Sequence, residues 1–591
     1  MRLLPVVLTG LLLSSALSAS RAFAGEQVSP EVQLCLQHLR PSERARAREI
    51  LGPWEEVPLY LAELEVDPKA REASGKVRVR YVAKTRALTS LPLRVTPNAF
   101  EPRRIKVLNA TVNGRPAPLE RSEPGLFRVA LDPPVAVGAS VTVEVAIKAA
   151  IPPAPKDAGS LMSGAFASGK SDHGAFMASA ELISLVGLLP QVPGMDEKGA
   201  PMPGPTGLGD LALYEPSHYL VSVTVPPGWR VHATGVELGE VPQPNGKVRF
   251  AFGAAATRDF PLLVSRGYQQ ATAQVDDVVV ESHFLASDAA AGRKVLGYAT
   301  SALTELQKRL GPLPYARFRV VEAPLTGGAG GMEFPGLITL STGLYRGLSN
   351  PLAALGLQNL EGLEELLAAQ GLGGALQTPA LGGMLDGVLE LTVAHEVAHQ
   401  YFAGLVGSDP INFPVVDESL AQHTALLYME WKHGKAAAEE IRKSQLVGSY
   451  QLHRLMGGAD GAADRPTSAF SGGVEYGALV YGKAPLLHHE TRRLLGDKAY
   501  VDGLRAYVDA YRFRWACRDC FTRVLAQRSP DKASQLWALR RRWWTEAHGD
   551  EDLGGADPAL LVQQLGGQQL DPQTLELLKT LLPQLLGNGG P

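Results

Sequence analysis

The sequence predicts a multi-domain α+β protein: an N-terminal antiparallel β domain, then a mixed α/β domain, then a short α-helical C-terminal tail. Three observations predict it. From Tyr60 to about Ser265, short runs of alternating apolar and polar residues are broken by Pro and Gly turns, as in Lys76-Val77-Arg78-Val79-Arg80-Tyr81 and Tyr219 to Val225. After Asp277 the pattern changes to a strand over Val278 to Phe284, a helix over Asp288 to Leu310 and a second strand over Arg317 to Glu322. From Leu352 to about Glu546, Ala, Leu, Glu and Gln dominate with helical periodicity.

Length and charge bound the function classes. The 591 residues suggest three to four domains at roughly 150 residues each. With 57 basic against 60 acidic residues the formal charge is -3, which excludes the concentrated positive field that nucleic-acid binding needs. Apolar residues at 45% and charged residues at 20% are ordinary globular usage and exclude a largely disordered chain.

Taken along the chain, Met1-Arg2, the apolar stretch Leu3 to Leu17 and Ala22-Phe23-Ala24 before Gly25 read as a cleaved export signal over residues 1–24. The stretch falls short of the ~20 apolar residues a spanning helix needs, and no later segment qualifies, so no transmembrane segment is expected in the mature chain. The expected location is therefore periplasmic or extracellular. Residues 25–54 form a lead-in, 55–272 the β domain, 273–550 the mixed domain and 551–591 the tail. Within the β domain, Ile151 to Gly209 is rich in Pro, Gly and Ser and reads as long loops around the apolar stretch Leu182 to Leu189. The segment 347–388 is a Leu- and Gly-rich insertion. In the tail, Asp557-Pro558 and Asp571-Pro572 each place an N-cap acid before a Pro at the first helical position. Three cysteines, Cys35 and the Cys517–Cys520 pair, are too few for a disulfide framework, and the pair is expected to be structural.

Chemistry concentrates at His395-Glu396-Val397-Ala398-His399 on a strong helical run. Residues four apart share one helix face, so both imidazoles reach one metal ion while Glu396 points toward a water bound there. A three-ligand zinc site needs one more group. Glu418 lies nineteen positions past His399 at the start of another helical run, and a return helix can deliver it. The metzincin arrangement is excluded, because Phe402 and Leu405 stand where it requires Gly and His.

These residues resemble the aminopeptidase-N and leukotriene-hydrolase family of gluzincin metallopeptidases, whose His-Glu-x-x-His is followed after eighteen residues by Glu. Two further segments carry the resemblance. Gly330-Gly331-Met332-Glu333-Phe334 looks like the family's exopeptidase motif Gly-x-Met-Glu-Asn, and Tyr476 to Lys483 looks like the segment that supplies a Tyr to the reaction intermediate. The resemblance covers roughly residues 55 to 550. It implies a β-sandwich-like N-terminal domain, a thermolysin-like catalytic domain, and one Zn2+ held by His395, His399 and Glu418.

The resemblance also implies residue roles: Glu396 as general base, Tyr481 as hydrogen-bond donor to the oxyanion, and Glu333 as anchor for the substrate's α-ammonium. Glu181, nine residues before Pro190, matches the place where the family's β domain has a Gln or Glu that helps bind the amine. The implied activity is a zinc-dependent aminopeptidase acting on peptides with a free N-terminus. An endopeptidase or other hydrolase on the same zinc, and a binding protein without turnover, use the same ligands and stay open.

Several departures bear on this. Phe334 replaces the motif's Asn, and Asp417-Glu418-Ser419 replaces Asn-Glu-Gly. The 61 residues between Glu333 and His395 are longer than usual, and the short tail leads us to expect an open site that admits longer peptides. Tyr476, the pair His488-His489 and the run Arg540-Arg541-Arg542 are expected to be packing and surface residues.

Overall fold

The computed structural model describes residues 28–161, 171–195, 199–211, 214–347 and 379–556. The export signal, most of the 347–388 insertion and the two tail helix starts lie outside these residues.

The β domain is built on an eight-stranded sheet in the order Val236–Pro242, Val248–Thr257, Ser217–Val225, Leu59–Asp67, Glu72–Val82, Ser140–Ala150, Ile105–Val112, Arg115–Ala117. Alternation does what the sequence predicts. In Leu59–Asp67, Ala62, Leu64 and Val66 turn inward while Glu63, Glu65 and Asp67 face water. A four-stranded and a three-stranded sheet close over the inner face, and residues of all three sheets, such as Val79, Val145, Leu93, Val129, Ile183 and Val264, share one apolar core. The sheet is not wholly antiparallel: Leu59–Asp67 runs parallel to Ser217–Val225, Leu59 opposite His218. The chain crosses both smaller sheets between these two strands and returns in the same direction, which a hairpin cannot do.

The second domain starts from a five-stranded sheet in the order Tyr268–Val275, Val278–Leu285, Arg317–Ala323, Leu337–Ser341, Gly331–Phe334. The expected boundary at 272/273 falls inside its outer strand, because Tyr268–Val275 pairs with Val278–Leu285 and not with the β domain. Helix Ala289–Leu310 is the crossover between the parallel strands Val278–Leu285 and Arg317–Ala323. The edge strand Gly331–Phe334 turns back along Leu337–Ser341 through Pro335-Gly336, where Gly336 has φ +76°. Pro followed by Gly at positive φ is the chemistry of a type II turn.

Against this sheet pack the long helices Pro379–Ala398 and Val415–His433. Val393, Ala394 and Val397 of the first and Leu420, Ala421 and Ala425 of the second join Val295, Leu303 and Ile338 in one core. The lead-in is part of this core. Its helix Pro30–Leu36 buries Val32, Cys35 and Leu36, its helix Pro41–Leu51 buries Ala47, and His38 stacks on Tyr315 at 4.5 Å between the two domains. Cys517 and Cys520 are joined as a disulfide, and Cys35 is free and buried. Among the described residues no helix is long and apolar enough to cross a membrane.

Buried histidines give the fold a pH dependence. His218 is fully buried, and burial first, then the positive field of Arg80, lowers its pKa to about 3. The unfolded chain, with a pKa near ~6.5, therefore binds a proton that the native state refuses, and stability falls as pH drops from about 6.5 toward about 3. At pH 5 this costs about 2 kcal/mol for the one residue. Urea unfolding of wild type and His218→Asn at pH 7 and pH 5 should show the pH-dependent loss reduced by about that amount in the variant. An identical loss in both would place the titration elsewhere.

Candidate active site

The catalytic-type residues meet where the end of Pro379–Ala398, the first turn of Val415–His433 and the edge strand Gly331–Phe334 converge. His395 lies in the last turn of its helix and His399 one turn on, its N–H still bonded to the His395 carbonyl at 3.1 Å. Their Nε2 atoms stand 3.0 Å apart. The His399 ring is oriented by its other nitrogen, Nδ1, which donates to the Phe402 carbonyl at 2.8 Å and leaves Nε2 as the free donor atom. That carbonyl folds back because the chain reverses at Ala403, a non-glycine residue at φ +104°. Such a conformation costs about 1–3 kcal/mol and persists where surrounding contacts impose it.

Glu418 completes the group from the return helix, as its spacing predicts. Its Oε2 lies 3.4 Å from His395 Nε2 and 3.3 Å from His399 Nε2. The three residues are buried, and Oε2 has no hydrogen-bond partner. Burial alone would raise the Glu418 pKa, but the two imidazoles beside it outweigh burial and hold the carboxylate well below its usual range. The set fits zinc. A tetrahedral ion bonded at about 2.0–2.1 Å needs donors about 3.3 Å apart, and two imidazole nitrogens with one ionised carboxylate are a standard donor set for it.

Residues around Glu418 hold its helix. Asp417 accepts from Ser408 Oγ at 2.8 Å, and Ser419 Oγ pairs with His488 Nε2 at 2.9 Å, so the departures from Asn-Glu-Gly become side-chain anchors. His488 is thereby a packing residue behind the site.

Glu396 is buried, lines the cavity, and has no partner for Oε2. Burial first, and then the charge of Glu333, raises its pKa well above the usual value, making it a stronger base than an exposed glutamate. Gly331 makes room for it: a Cβ there would lie 2.3 Å from Glu396 Oε1. The Tyr481 hydroxyl donates to Glu418 Oε1, and its ring sits 5.8 Å from that of His395. It rides on the wide, π-helical turn Gly477–Lys483, fixed from behind by buried Lys483, whose ammonium donates to Asp460 and to the Gly461 and Glu546 carbonyls.

A cavity of about 390 Å³ connects these groups and includes Glu333, half-buried on the edge strand. The β domain contributes Leu208 to Leu211 to its wall. Asp210 in that loop lines the same cavity as Glu333, and burial first, then the Glu333 charge, raises the Asp210 pKa well above its usual value. The loop comes this close because Gly209, at φ +68°, lets the backbone meet Tyr476, where a Cβ would lie 2.4 Å from the hydroxyl oxygen. Tyr476 packs as expected, its ring against Phe470 and Tyr481, and its hydroxyl is buried without a partner at the cavity wall. Glu181 is not brought in. It is exposed in the turn joining Phe176–Ala178 to Leu182–Leu185, its backbone carbonyl accepting from Arg266, and it does not line the cavity. The acids that the β domain brings to the cavity wall are Asp210 and Asp259, which no periodicity or motif marks.

The fold is that of the M1 zinc metallopeptidases, the aminopeptidase-N group. The M1 zinc metallopeptidase of Deinococcus radiodurans is 17% identical, with a TM-score of 0.57 over 83% of this chain and 94% of that one. A mutant of that enzyme bound to a Tyr-Ser-Ala substrate matches at 17% identity and TM-score 0.56, and a two-domain M1 zinc metallopeptidase mutant bound to L-arginine at 16% and 0.56, with the same coverages. No protein-family profile matches the chain, and no curated protein matches it by sequence.

The donor triangle predicts one zinc per chain. Removing the return-helix ligand by Glu418→Ala should weaken zinc binding beyond the ~10–100-fold that loss of an outer partner costs, read by competition with a chromophoric chelator. Unchanged affinity would remove Glu418 from the ligand set.

Proposed function

We propose that this chain is a zinc-dependent aminopeptidase that hydrolyses the N-terminal bond of peptides. The observation that carries the reading is the pair of carboxylates, Glu333 and Asp210, in the same cavity as the donor triad, with no Lys or Arg among the described lining residues. An α-ammonium is the cation such a pair selects, by charge-assisted hydrogen bonds. The metallopeptidases of this fold bound to Tyr-Ser-Ala and to single amino acids support the reading.

A zinc ion held by His395, His399 and Glu418 would supply Lewis acidity and a nucleophile from water at neutral pH. The chain's own groups do the rest. Glu333 and Asp210 anchor the ammonium, so the first peptide bond and no later one reaches the triad. Glu396 takes the water's proton and passes it to the leaving amine, a transfer its raised pKa favours. The Tyr481 hydroxyl leaves Glu418 for the carbonyl oxygen as negative charge grows there. We also read residues 1–24 as an export signal, to be tested by N-terminal sequencing of the secreted or periplasmic protein, which should begin at Gly25.

Three outcomes test the mechanism on aminoacyl amide reporters. Glu396→Gln should lower kcat by about 10²–10⁴ while keeping its zinc. Tyr481→Phe should lower kcat by about 10²–10³ with little change in KM. N-acetylated twins should resist cleavage by wild type, and equal cleavage of both forms would sink the aminopeptidase in favour of an endopeptidase.

A further inference from the structure

Gln400 follows His399 directly, is fully buried, and takes no part in the mechanism above. Its amide is used in both directions on one short stretch of the neighbouring sheet. Nε2–H donates to the Phe334 carbonyl at 3.0 Å, and Oε1 accepts from the Gly336 N–H at 2.8 Å. These backbone groups flank Pro335, in the turn that closes the hairpin of Gly331–Phe334 and Leu337–Ser341. From the other side the Pro335 carbonyl accepts from Thr234 Oγ1 of the β domain at 2.8 Å.

We propose that Gln400 is a positioning residue that sets the reach between the amine-binding carboxylate and the metal triad, and so fixes cleavage at the first peptide bond. The covalent path is short on both sides. Glu333 is one residue from the held carbonyl, and His399 is one residue from Gln400. Two hydrogen bonds therefore join the residue that measures the substrate's end to the residue that holds the metal. Both are buried, where losing a partner leaves a backbone group unpaired and without water to replace it. Glutamine matches one donor and one acceptor at once. Methionine matches neither, and glutamate matches only the Gly336 N–H while setting its other oxygen against the Phe334 carbonyl.

This clamp also accounts for Phe334, which stands where the resembling motif has Asn. The strand is held through the Phe334 carbonyl, while its ring packs in the apolar cluster with Val321, Leu325 and Leu337. No side-chain amide is needed at that position, because Gln400 supplies one from the turn that follows the helix.

The inference rests on the aminopeptidase reading, and the test separates the two. Leucine hydroxamate and its N-acetyl twin are titrated by calorimetry into the zinc-loaded full chain as wild type, Gln400→Met and Gln400→Glu, with zinc content measured for each. Wild type should bind the free-amine form more tightly. In Gln400→Met that preference should shrink about tenfold or more, by loss of affinity for the free-amine form alone, with zinc stoichiometric and the N-acetyl twin unaffected. Gln400→Glu, keeping one of two bonds, should fall between, and it carries the test where the methionine variant does not fold. Equal weakening of both ligands, an unchanged preference, or loss of zinc would overturn the positioning role. Wild type binding both forms equally would instead overturn the aminopeptidase reading, and the positioning role with it.

Discussion

Two imidazole nitrogens 3.0 Å apart, with a carboxylate oxygen 3.3–3.4 Å from each and all three residues buried, make a donor cluster suited to a metal cation. Buried polar groups without partners are costly, and lone pairs that converge on one point have no protein donor that can serve them all. The surrounding architecture is arranged to tolerate that convergence. The reversal at Ala403 brings the Phe402 carbonyl back to orient one imidazole, Ser408 and His488 tie the flanks of Glu418, and the Lys483 anchor holds the tyrosine turn. Each of these interactions spends its strength on direction, fixing where a donor points.

Hydrolytic groups and measuring groups sit on different kinds of structure. The ligands, Glu396 and Tyr481 all project from helices or the turns that continue them, where periodicity fixes relative placement. On the aminopeptidase reading, the carboxylates that face the substrate's end come from a sheet edge and from a loop of the other domain. Their spacing is set by tertiary contacts: the Gln400 clamp on one side, and on the other the Gly209–Tyr476 approach and the Thr206–Thr467 hydrogen bond at 2.7 Å.

What the sequence made legible follows this division. His395, Glu396 and His399 were readable because a period of 3.6 residues brings positions four apart together whatever the rest of the fold does. Glu418 was readable because a helical run begins at its position, and the strand and helix succession from Val278 to Glu322 was readable from a switch in period. Asp210 was not, since loops obey no period and its place depends on a glycine in the left-handed region meeting a tyrosine more than 260 residues away. Glu181 illustrates the converse. Its offset from Pro190 suits the resemblance, yet the hairpin it closes turns it to solvent, because an offset along the chain does not encode which way a turn faces. The boundary at 272/273 cut a strand for a related reason: Tyr268–Val275 alternates like a strand of the first domain, and only pairing decides its sheet.

The Glu333–Asp210 pair links selectivity to the state of the free site. Two carboxyl groups lining one partly buried cavity repel each other, and burial first, then the Glu333 charge, shifts Asp210 toward its protonated form. A proton is the smallest cation that relieves this repulsion. On the aminopeptidase reading, the substrate's ammonium is a larger one that relieves it equally well and brings three donors in place of one. An acylated N-terminus brings no charge, and it would leave the pair with its proton and the amide with a poor partner. Discrimination against blocked peptides then arises from a cost already built into the free cavity, and it needs no steric wall.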